Sequence, residues 1–172
     1  GKTIWTAEIP DAGKAEYASV VSTEIHGVPQ YIKYFQQMVV GVSAEEGKLL
    51  WTSEWPRGRT AVIPTPIVVE NEIYITSGYG AGSKLIRVSD DWSTEDVWDN
   101  TEMKNHHGGV VHKDGYLYGF SDGAGLVCQS WETGELVWNE KSQFLQKGSV
   151  HMADGMLYCL NETDGVVTLA EA

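Results

Sequence analysis

The sequence predicts an all-β protein, a propeller built from four-stranded antiparallel blades. The first observation is a repeated phrase that ends in tryptophan, at Trp5, Trp51, Trp98 and Trp138. Successive copies lie 46, 47 and 40 residues apart, which is the length of a four-stranded blade. The second observation is a series of short β-branched and aromatic segments separated by turn residues. Such blades bury their faces against neighbouring blades, so we expect them to stack radially.

Each repeat contains short predicted strands in a fixed order. An apolar first strand and an aromatic second strand flank a turn such as Asp114-Gly115 or Asp154-Gly155, and both residue types tolerate the positive φ of a tight hairpin. A third apolar strand follows, and the fourth strand carries the tryptophan. The repeats are expected at residues 17–55, 64–103, 107–143 and 147–172.

The last repeat lacks a fourth strand, whereas the chain opens within one. Gly1-Lys2-Thr3-Ile4-Trp5 matches the phrase of residues 47–51. We therefore expect strand 1–8 to complete the blade of residues 147–172, because such closure removes exposed sheet edges. This gives about four blades, three whole and one split between the termini. A closed four-bladed ring and half of a larger ring both fit this pattern.

Residues 128–138 resemble the pyrroloquinoline-quinone-type propeller repeat, written A-x-D-x-x-T-G-x-x-x-W. Thr133, Gly134 and Trp138 fit this repeat, while Ser130 stands in place of its Asp. The chain is similar to the bacterial quinoprotein-like propellers, among them outer-membrane assembly-factor and planctomycete secreted proteins. This resemblance implies rings of seven or eight blades, hence half of an eight-bladed ring and a possible homodimer of half-rings. It also implies that the tryptophan docks between blades.

The absence of a catalytic constellation in the sequence favours a non-catalytic scaffold that binds a protein or a ligand. The alternative is a fragment of a quinone-dependent alcohol or sugar dehydrogenase, which would hold pyrroloquinoline quinone with calcium. Enzymes of that kind carry adjacent cysteines, whereas Cys128 and Cys159 stand far apart and their pairing is left open. No Gly-x-Ser-x-Gly elbow or other catalytic set is present in the sequence. We therefore expect no catalytic residues and no resident cofactor, although the enzyme question stays open.

Charge and hydropathy restrict the partners and the compartment. The formal net charge of −12 argues against nucleic acid and anionic membranes, which require a basic protein face. No apolar run is long enough to span a bilayer, so membrane insertion is not expected. No basic leader with an apolar core precedes the first strand. A periplasmic or extracellular location is therefore implied by the resemblance alone.

Two groups of residues are candidates for binding. His106 and His107 precede a first strand, and His151 lies on the equivalent strand of the next blade, so a metal or small ligand at a central channel is a further alternative. Adjacent residues of a strand point to opposite faces, which argues against joint chelation by His106 and His107. The other candidates are contacts to a ligand or an acidic partner segment, and they comprise Asn105, Trp55, Arg57 and Arg59.

Overall fold

The computed structural model describes residues 1–55, 61–143 and 145–172, which form fifteen β-strands and contain no helix. The strands build four antiparallel sheets, and in each sheet the strands pair in chain order. The all-β blade architecture predicted from the repeats is therefore confirmed. The described part of the chain offers no helix able to cross a membrane.

The first three sheets have four strands each. The first sheet contains β1 (Val21–Ile25), β2 (Val28–Tyr34), β3 (Met38–Ser43) and β4 (Leu49–Glu54). The second contains β5 (Ile67–Val69), β6 (Glu72–Ser77), β7 (Gly82–Val88) and β8 (Thr94–Asn100). The third contains β9 (Val110–Lys113), β10 (Tyr116–Ser121), β11 (Gly125–Ser130) and β12 (Leu136–Glu140). The fourth contains β13 (Gly148–Ala153), β14 (Met156–Asn161) and β15 (Val167–Glu171).

The first turn of the third and fourth sheets has the conformation that its sequence predicts. Asp114 and Gly115 have φ of 49° and 83°, and Asp154 and Gly155 have φ of 50° and 76°. Two successive residues of positive φ match the right-handed twist of the flanking strands. These turns fix the register, so that Tyr118 lies opposite Val111 and Tyr158 lies opposite His151.

Apolar clusters join each sheet to the next along the chain. Ile32 and Tyr34 of the first sheet pack with Ile73 of the second. Tyr74 and Leu85, on the other face of the second sheet, pack with residues of the third. A further cluster joins the third and fourth sheets, and its buried members include Tyr118, Phe120, Leu126, Cys128, Leu157 and Cys159.

The predicted split blade is not formed, and the fourth sheet has three strands. Residues 1–8 contain no strand; they lie instead against the first sheet, with Trp5 and Ala7 facing it and Thr6 between them exposed. Closure by strand pairing needs the first and last sheets side by side. Among the described residues no core cluster joins those two sheets, so the predicted pairing of residues 1–8 with the last sheet of the same chain is wrong.

Trp98 docks between sheets as expected, and Trp5 docks in the same way on the outward face of the first sheet. Trp98 of β8 donates from Nε1 to the Trp131 carbonyl oxygen at 2.8 Å and lies over Gly134 of the third sheet. Trp5 repeats this arrangement on the first sheet, donating to the Ala44 carbonyl oxygen at 3.1 Å and lying over Gly47. The segment of residues 1–8 therefore holds the position of an outer strand from a preceding blade.

Trp51 also lies between sheets, 3% exposed in the apolar cluster that joins the first and second sheets, whereas Trp138 departs from the expected docking. Trp51 donates from Nε1 to Gln30 Oε1 at 2.7 Å within its own sheet. The turn of the second sheet has lost the Thr-Gly pair, and the indole N–H of Trp51 bonds Gln30 rather than a turn carbonyl as Trp98 does. Trp138 is 37% exposed and contacts the ring of Tyr118 in its own sheet. Its platform would be the turn that follows a third strand, and β15 is followed by no fourth strand in its sheet.

Candidate functional site

Polar side chains gather at the edge of the molecule where the sheets are linked. The segments that connect one sheet to the next run beside the turns between second and third strands. Asp122 N donates to the Lys104 carbonyl oxygen, and Glu162 N donates to the Lys147 carbonyl oxygen, each at 3.0 Å. These bonds bring together six side chains, here called the rim cluster: Tyr79, His106, His107, Asp122, Lys147 and Glu162.

One half of the rim cluster is centred on Lys147. Its Nζ lies 2.8 Å from His106 Nδ1 and 3.7 Å from an oxygen of Asp122. The other oxygen of Asp122 accepts from the backbone N–H of Tyr79 at 3.1 Å, and the Tyr79 ring meets the His106 ring edge-on at 4.3 Å. Burial and the Lys147 charge lower the pKa of His106. A neutral imidazole that accepts from Lys147 at Nδ1 carries its proton on Nε2.

The other half of the rim cluster pairs His107 with Glu162. His107 Nε2 lies 2.9 Å from Glu162 Oε2, and the His106 and His107 rings are 5.0 Å apart. The two imidazoles are on the same side because they precede β9, in a linker where the alternation of a strand does not apply. The expectation that they point to opposite faces is therefore wrong. Each ring is already bound to a partner of the cluster.

The three histidines considered for metal do not form one site in this structure. His151 is an exposed residue of β13, opposite Tyr158 in the register of the fourth sheet. Within the ranges that the structure describes, no group of three or more His, Cys, Asp or Glu residues is placed to hold a metal ion. The structure brings His106 and His107 together, and it places His151 apart from them.

Asn105 is a buried structural residue. Its Nδ2 donates to the carbonyl oxygens of Phe120 at 2.8 Å and Gly109 at 3.1 Å, and its side chain is fully buried. Its Oδ1 has no hydrogen-bond partner among the described residues. Asn105 thus fastens the linker to β10, and the expectation that it contacts a ligand or partner is wrong because its side chain does not reach the surface.

The structure tests only one residue of the predicted contact surface formed by Trp55, Arg57 and Arg59. Trp55 is 2% exposed and packs its ring on Tyr34 at 5.8 Å, so it belongs to the core between the first and second sheets. The expectation that Trp55 is an exposed binding residue is therefore wrong. Arg57 and Arg59 lie outside the described residues.

A buried polar network between the second and third sheets was missed by the sequence reasoning. Gln129 Nε2 donates to the Gly134 carbonyl oxygen at 2.8 Å, to Asn100 Oδ1 at 3.0 Å and to Ser83 Oγ at 3.2 Å. Asn100 Nδ2 also donates to the Gly134 carbonyl oxygen at 2.8 Å. The sequence signal for such a network is a glutamine on a strand of two different sheets, Gln30 and Gln129, each of which is buried although its side chain is polar.

A buried lysine joins the first and second sheets in a similar way. Lys84 is 3% exposed, and its Nζ lies 2.6 Å from Asp96 Oδ1. It also donates to Ser53 Oγ at 3.0 Å and to the Glu54 carbonyl oxygen at 2.9 Å. A buried ammonium needs such complete pairing, because removal from water costs several kcal/mol. The Lys84 contacts therefore serve the fold rather than a ligand.

The residues do not fit the quinone and calcium of the dehydrogenase alternative. Cys128 and Cys159 are free, buried in the core between the third and fourth sheets, and burial raises the pKa of both thiols. They lie on different strands and so cannot supply an adjacent cysteine pair. The rim carboxylates Asp122 and Glu162 are engaged by Tyr79, Lys147 and His107, and the described residues provide no oxygen-rich set for calcium.

Comparison with known proteins identifies the class. The family model described as outer membrane protein assembly factor BamB matches residues 1–119 and 82–172, so it covers the whole chain. The chain therefore belongs to this family of propellers built from pyrroloquinoline-quinone-like repeats. Comparison with curated proteins gives no significant match.

Solved structures show the same fold at low sequence identity. The designed protein Ika4 has a TM-score of 0.70 and 9% identity over 99% of this chain and 98% of its own. BamB from Moraxella catarrhalis has a TM-score of 0.62 and 15% identity over 96% and 53%. The quinohemoprotein alcohol dehydrogenase from Comamonas testosteroni has a TM-score of 0.58 and 13% identity over 99% and 38%. The chain thus spans about half the length of that BamB.

Proposed function

We propose that this protein is a non-catalytic, extracytoplasmic propeller scaffold that binds a protein partner through the rim cluster. One observation carries the proposal: turns and linkers of three sheets place two imidazoles, a tyrosine, a lysine and two carboxylates side by side at one edge. Side chains from loops held by rigid sheets are a common form of binding surface.

The chemistry of the rim cluster favours binding over catalysis. Lys147 is shared between His106 and Asp122, and His107 contacts Glu162, so these side chains are partnered within the cluster. A catalytic nucleophile needs a base within hydrogen-bond reach, and none of the six side chains is a hydroxyl nucleophile in such a pair. The cluster instead presents oriented donors and acceptors to a polar segment of a partner.

The extracytoplasmic location is supported by family membership. The matching family model is described as an outer membrane assembly factor, and a solved BamB has the same fold. Cell fractionation with an antibody to this protein tests the location, and we expect the protein in the envelope or secreted fraction. Recovery in the cytosolic fraction would remove this part of the proposal.

Site-specific photo-cross-linking tests binding at the rim cluster. A photoreactive residue replaces Tyr79, which is 57% exposed in the cluster. The matched control replaces Tyr116, which is 41% exposed at the opposite end of its strand hairpin, beside the turn of Asp114 and Gly115. We expect one protein adduct from position 79 that is lost on Lys147→Ala, and none from position 116. Equal adducts from both positions, or none, would refute the rim as the binding surface.

A further inference from the structure

The last sheet is a blade that lacks its outer strand. In the first three sheets the third strand pairs with a fourth, whereas β15 has no strand on its outer side in the described structure. The backbone N–H and C=O groups along that edge are therefore open to another chain. The rim cluster contains no residue of β15, so the two surfaces can be tested separately.

The same chain carries an outer strand without a sheet. Trp5 docks on Ala44 and Gly47 as Trp98, an outer-strand residue, docks on Trp131 and Gly134. Residues 1–8 are thus already held against the first sheet in the place of a preceding blade's outer strand. Ile4, which points away from the first sheet, is 82% exposed.

The outward face of the fourth sheet is apolar and uncovered. Tyr158, Leu160, Val167 and Leu169 occupy the positions that Tyr118, Phe120, Leu126 and Cys128 occupy in the third sheet, as the strand registers show. The third-sheet residues are at most 5% exposed because the fourth sheet covers them, whereas the fourth-sheet residues are 38–59% exposed. The apolar residues of this face are therefore typical of an interface between two blades, but no second blade covers them in the described structure.

The first sheet offers the complementary surface. Its face away from the second sheet forms an apolar groove of about 390 Å³, lined among others by Ile9, Val20, Tyr31 and Phe35. Such a groove is what the side chains of a preceding blade fill elsewhere in the molecule. One chain thus carries both halves of a blade junction, and no core cluster of its described residues joins its own first and last sheets.

We propose that a second copy of this chain closes the ring. Residues 1–8 of each copy pair with β15 of the other, and the fourth sheet of each copy packs into the groove of the other's first sheet. The two contacts are identical and related by a two-fold axis, so the assembly is closed and contains eight blades. The chain covers 53% of BamB from Moraxella catarrhalis, which agrees with about half of that propeller.

Light scattering coupled to size exclusion tests the closure on the full chain. We expect a mass twice the 19.0 kDa of one copy. The variant Leu169→Asp places a charge on the uncovered face and should raise the dissociation constant at least tenfold. The matched control is Tyr116→Asp on β10, which is 41% exposed in the third sheet beside the turn of Asp114 and Gly115. Circular dichroism confirms that both variants remain folded.

Amide hydrogen exchange distinguishes closure by a second copy from a chain that closes on itself, an open monomer and a ladder of larger species. We expect the amides of β15 and of residues 1–8 to gain protection together as the protein concentration rises. A monomer with protected β15 amides would mean that the chain closes on itself, and it would overturn the proposal. A monomer with unprotected amides, or a ladder of ever larger species, would overturn it as well.

Discussion

Gly134 shows how the repeat phrase acts at the level of single residues. It has φ of 72°, and its N–H donates to the Ser130 carbonyl oxygen at 3.0 Å to close the turn before β12. A Cβ at this position would lie 2.5 Å from Trp98 Cδ2, so the glycine serves both the turn and the docking of the ring. Gly47 repeats this arrangement with φ of 70° beneath Trp5.

We predict that Gly134→Ala lowers the free energy of unfolding by about 3 kcal/mol or more, since backbone strain and a steric clash add together. Gly123→Ala is the matched control, because Gly123 has φ of 82° but no atom near the added Cβ. The control should cost about 1 kcal/mol. Urea unfolding followed by tryptophan fluorescence measures both, and equal losses would contradict the docking role of Gly134.

His112 makes stability depend on pH. Its ring packs on Trp131 at 4.6 Å, its Nε2 has no hydrogen-bond partner among the described residues, and burial lowers its pKa below the usual 6.5 while Asp114 opposes this shift. As the pH falls below 6.5, the unfolded chain therefore takes up a proton before the folded chain does. The contribution is present above pH 6.5 and is lost as the pH falls toward the folded-state pKa.

We predict that His112→Phe reduces the loss of stability between pH 7.5 and about pH 5.5. Phenylalanine keeps the contact with Trp131 and removes the group that must stay uncharged when buried. His106, whose pKa is also lowered, still titrates in the variant. The urea midpoint of both proteins at the two pH values is the measurement. The same pH slope in wild type and variant would show that His112 has no such role.

At the scale of elements, the contact between the second and third sheets is polar as well as apolar. Tyr74 OH, Ser83 Oγ and Asn100 Oδ1 of the second sheet all meet the Gln129 amide. In the first sheet Gln30 has a smaller structural role, in which its Oε1 accepts a hydrogen bond from Trp51 Nε1. Loss of either glutamine leaves buried polar atoms unpaired, and the cost of an unpaired atom exceeds the gain from making the bond.

We predict that Gln129→Leu costs about 3 kcal/mol of unfolding free energy and that Gln30→Leu costs about 1–2 kcal/mol, in proportion to the partners left without a hydrogen bond. The two leucines are the same change in equivalent sheets, so the difference isolates the inter-sheet network. Amide exchange of β7 and β11 should rise in Gln129→Leu more than that of β2 and β3. An equal loss of unfolding free energy in both variants would show that the network between the second and third sheets adds no extra stability.

The sequence predicted the sheets well because strand order and turns are local properties. Asp114-Gly115 and the alternating strand beside it specify a hairpin without reference to the rest of the chain. The contacts of Trp5, Trp51 and Trp138 were less predictable, because each depends on which sheet stands beside the ring. Asn105 and Trp55 were misread for the same reason: polarity or size suggests a surface role, but burial depends on packing between sheets.

The rim cluster was predictable in part. His106 and His107 stood out as an unusual pair, whereas Tyr79, Lys147 and Glu162 come from turns of other sheets and join them through the fold alone. Recurring turn residues identify equivalent turns, but they do not show which side chains of neighbouring turns come within bonding distance. Sequence reasoning thus located the histidines and could not supply their partners.

At the scale of the whole molecule, the described residues do not form a site that fits pyrroloquinoline quinone with calcium, and we predict that the protein does not bind this cofactor. Titration of the protein with pyrroloquinoline quinone in excess calcium should give no saturable change in quinone absorbance, because Cys128 and Cys159 are separate buried thiols and the rim carboxylates are already paired. The measurement uses the proposed dimer, in which the ring is closed. Stoichiometric uptake would revive the dehydrogenase alternative.

The net charge of the chain distinguishes an apolar junction from an ionic one. Each copy carries −12, so two copies repel each other, while the proposed contact is formed by Leu160, Val167 and Leu169 against an apolar groove. Raising the salt from about 10 mM to about 1 M shortens the screening length from about 30 Å to about 3 Å. Repulsion is then suppressed and apolar burial is unaffected or strengthened.

We therefore predict that the dimer dissociation constant falls as salt is added. Sedimentation velocity over a dilution series at each salt concentration measures it, and the Leu169→Asp variant should remain weaker than wild type throughout. A dissociation constant that rises with salt would mean that ion pairs dominate the contact. The apolar face of the fourth sheet would then be covered by something other than a second copy of this chain.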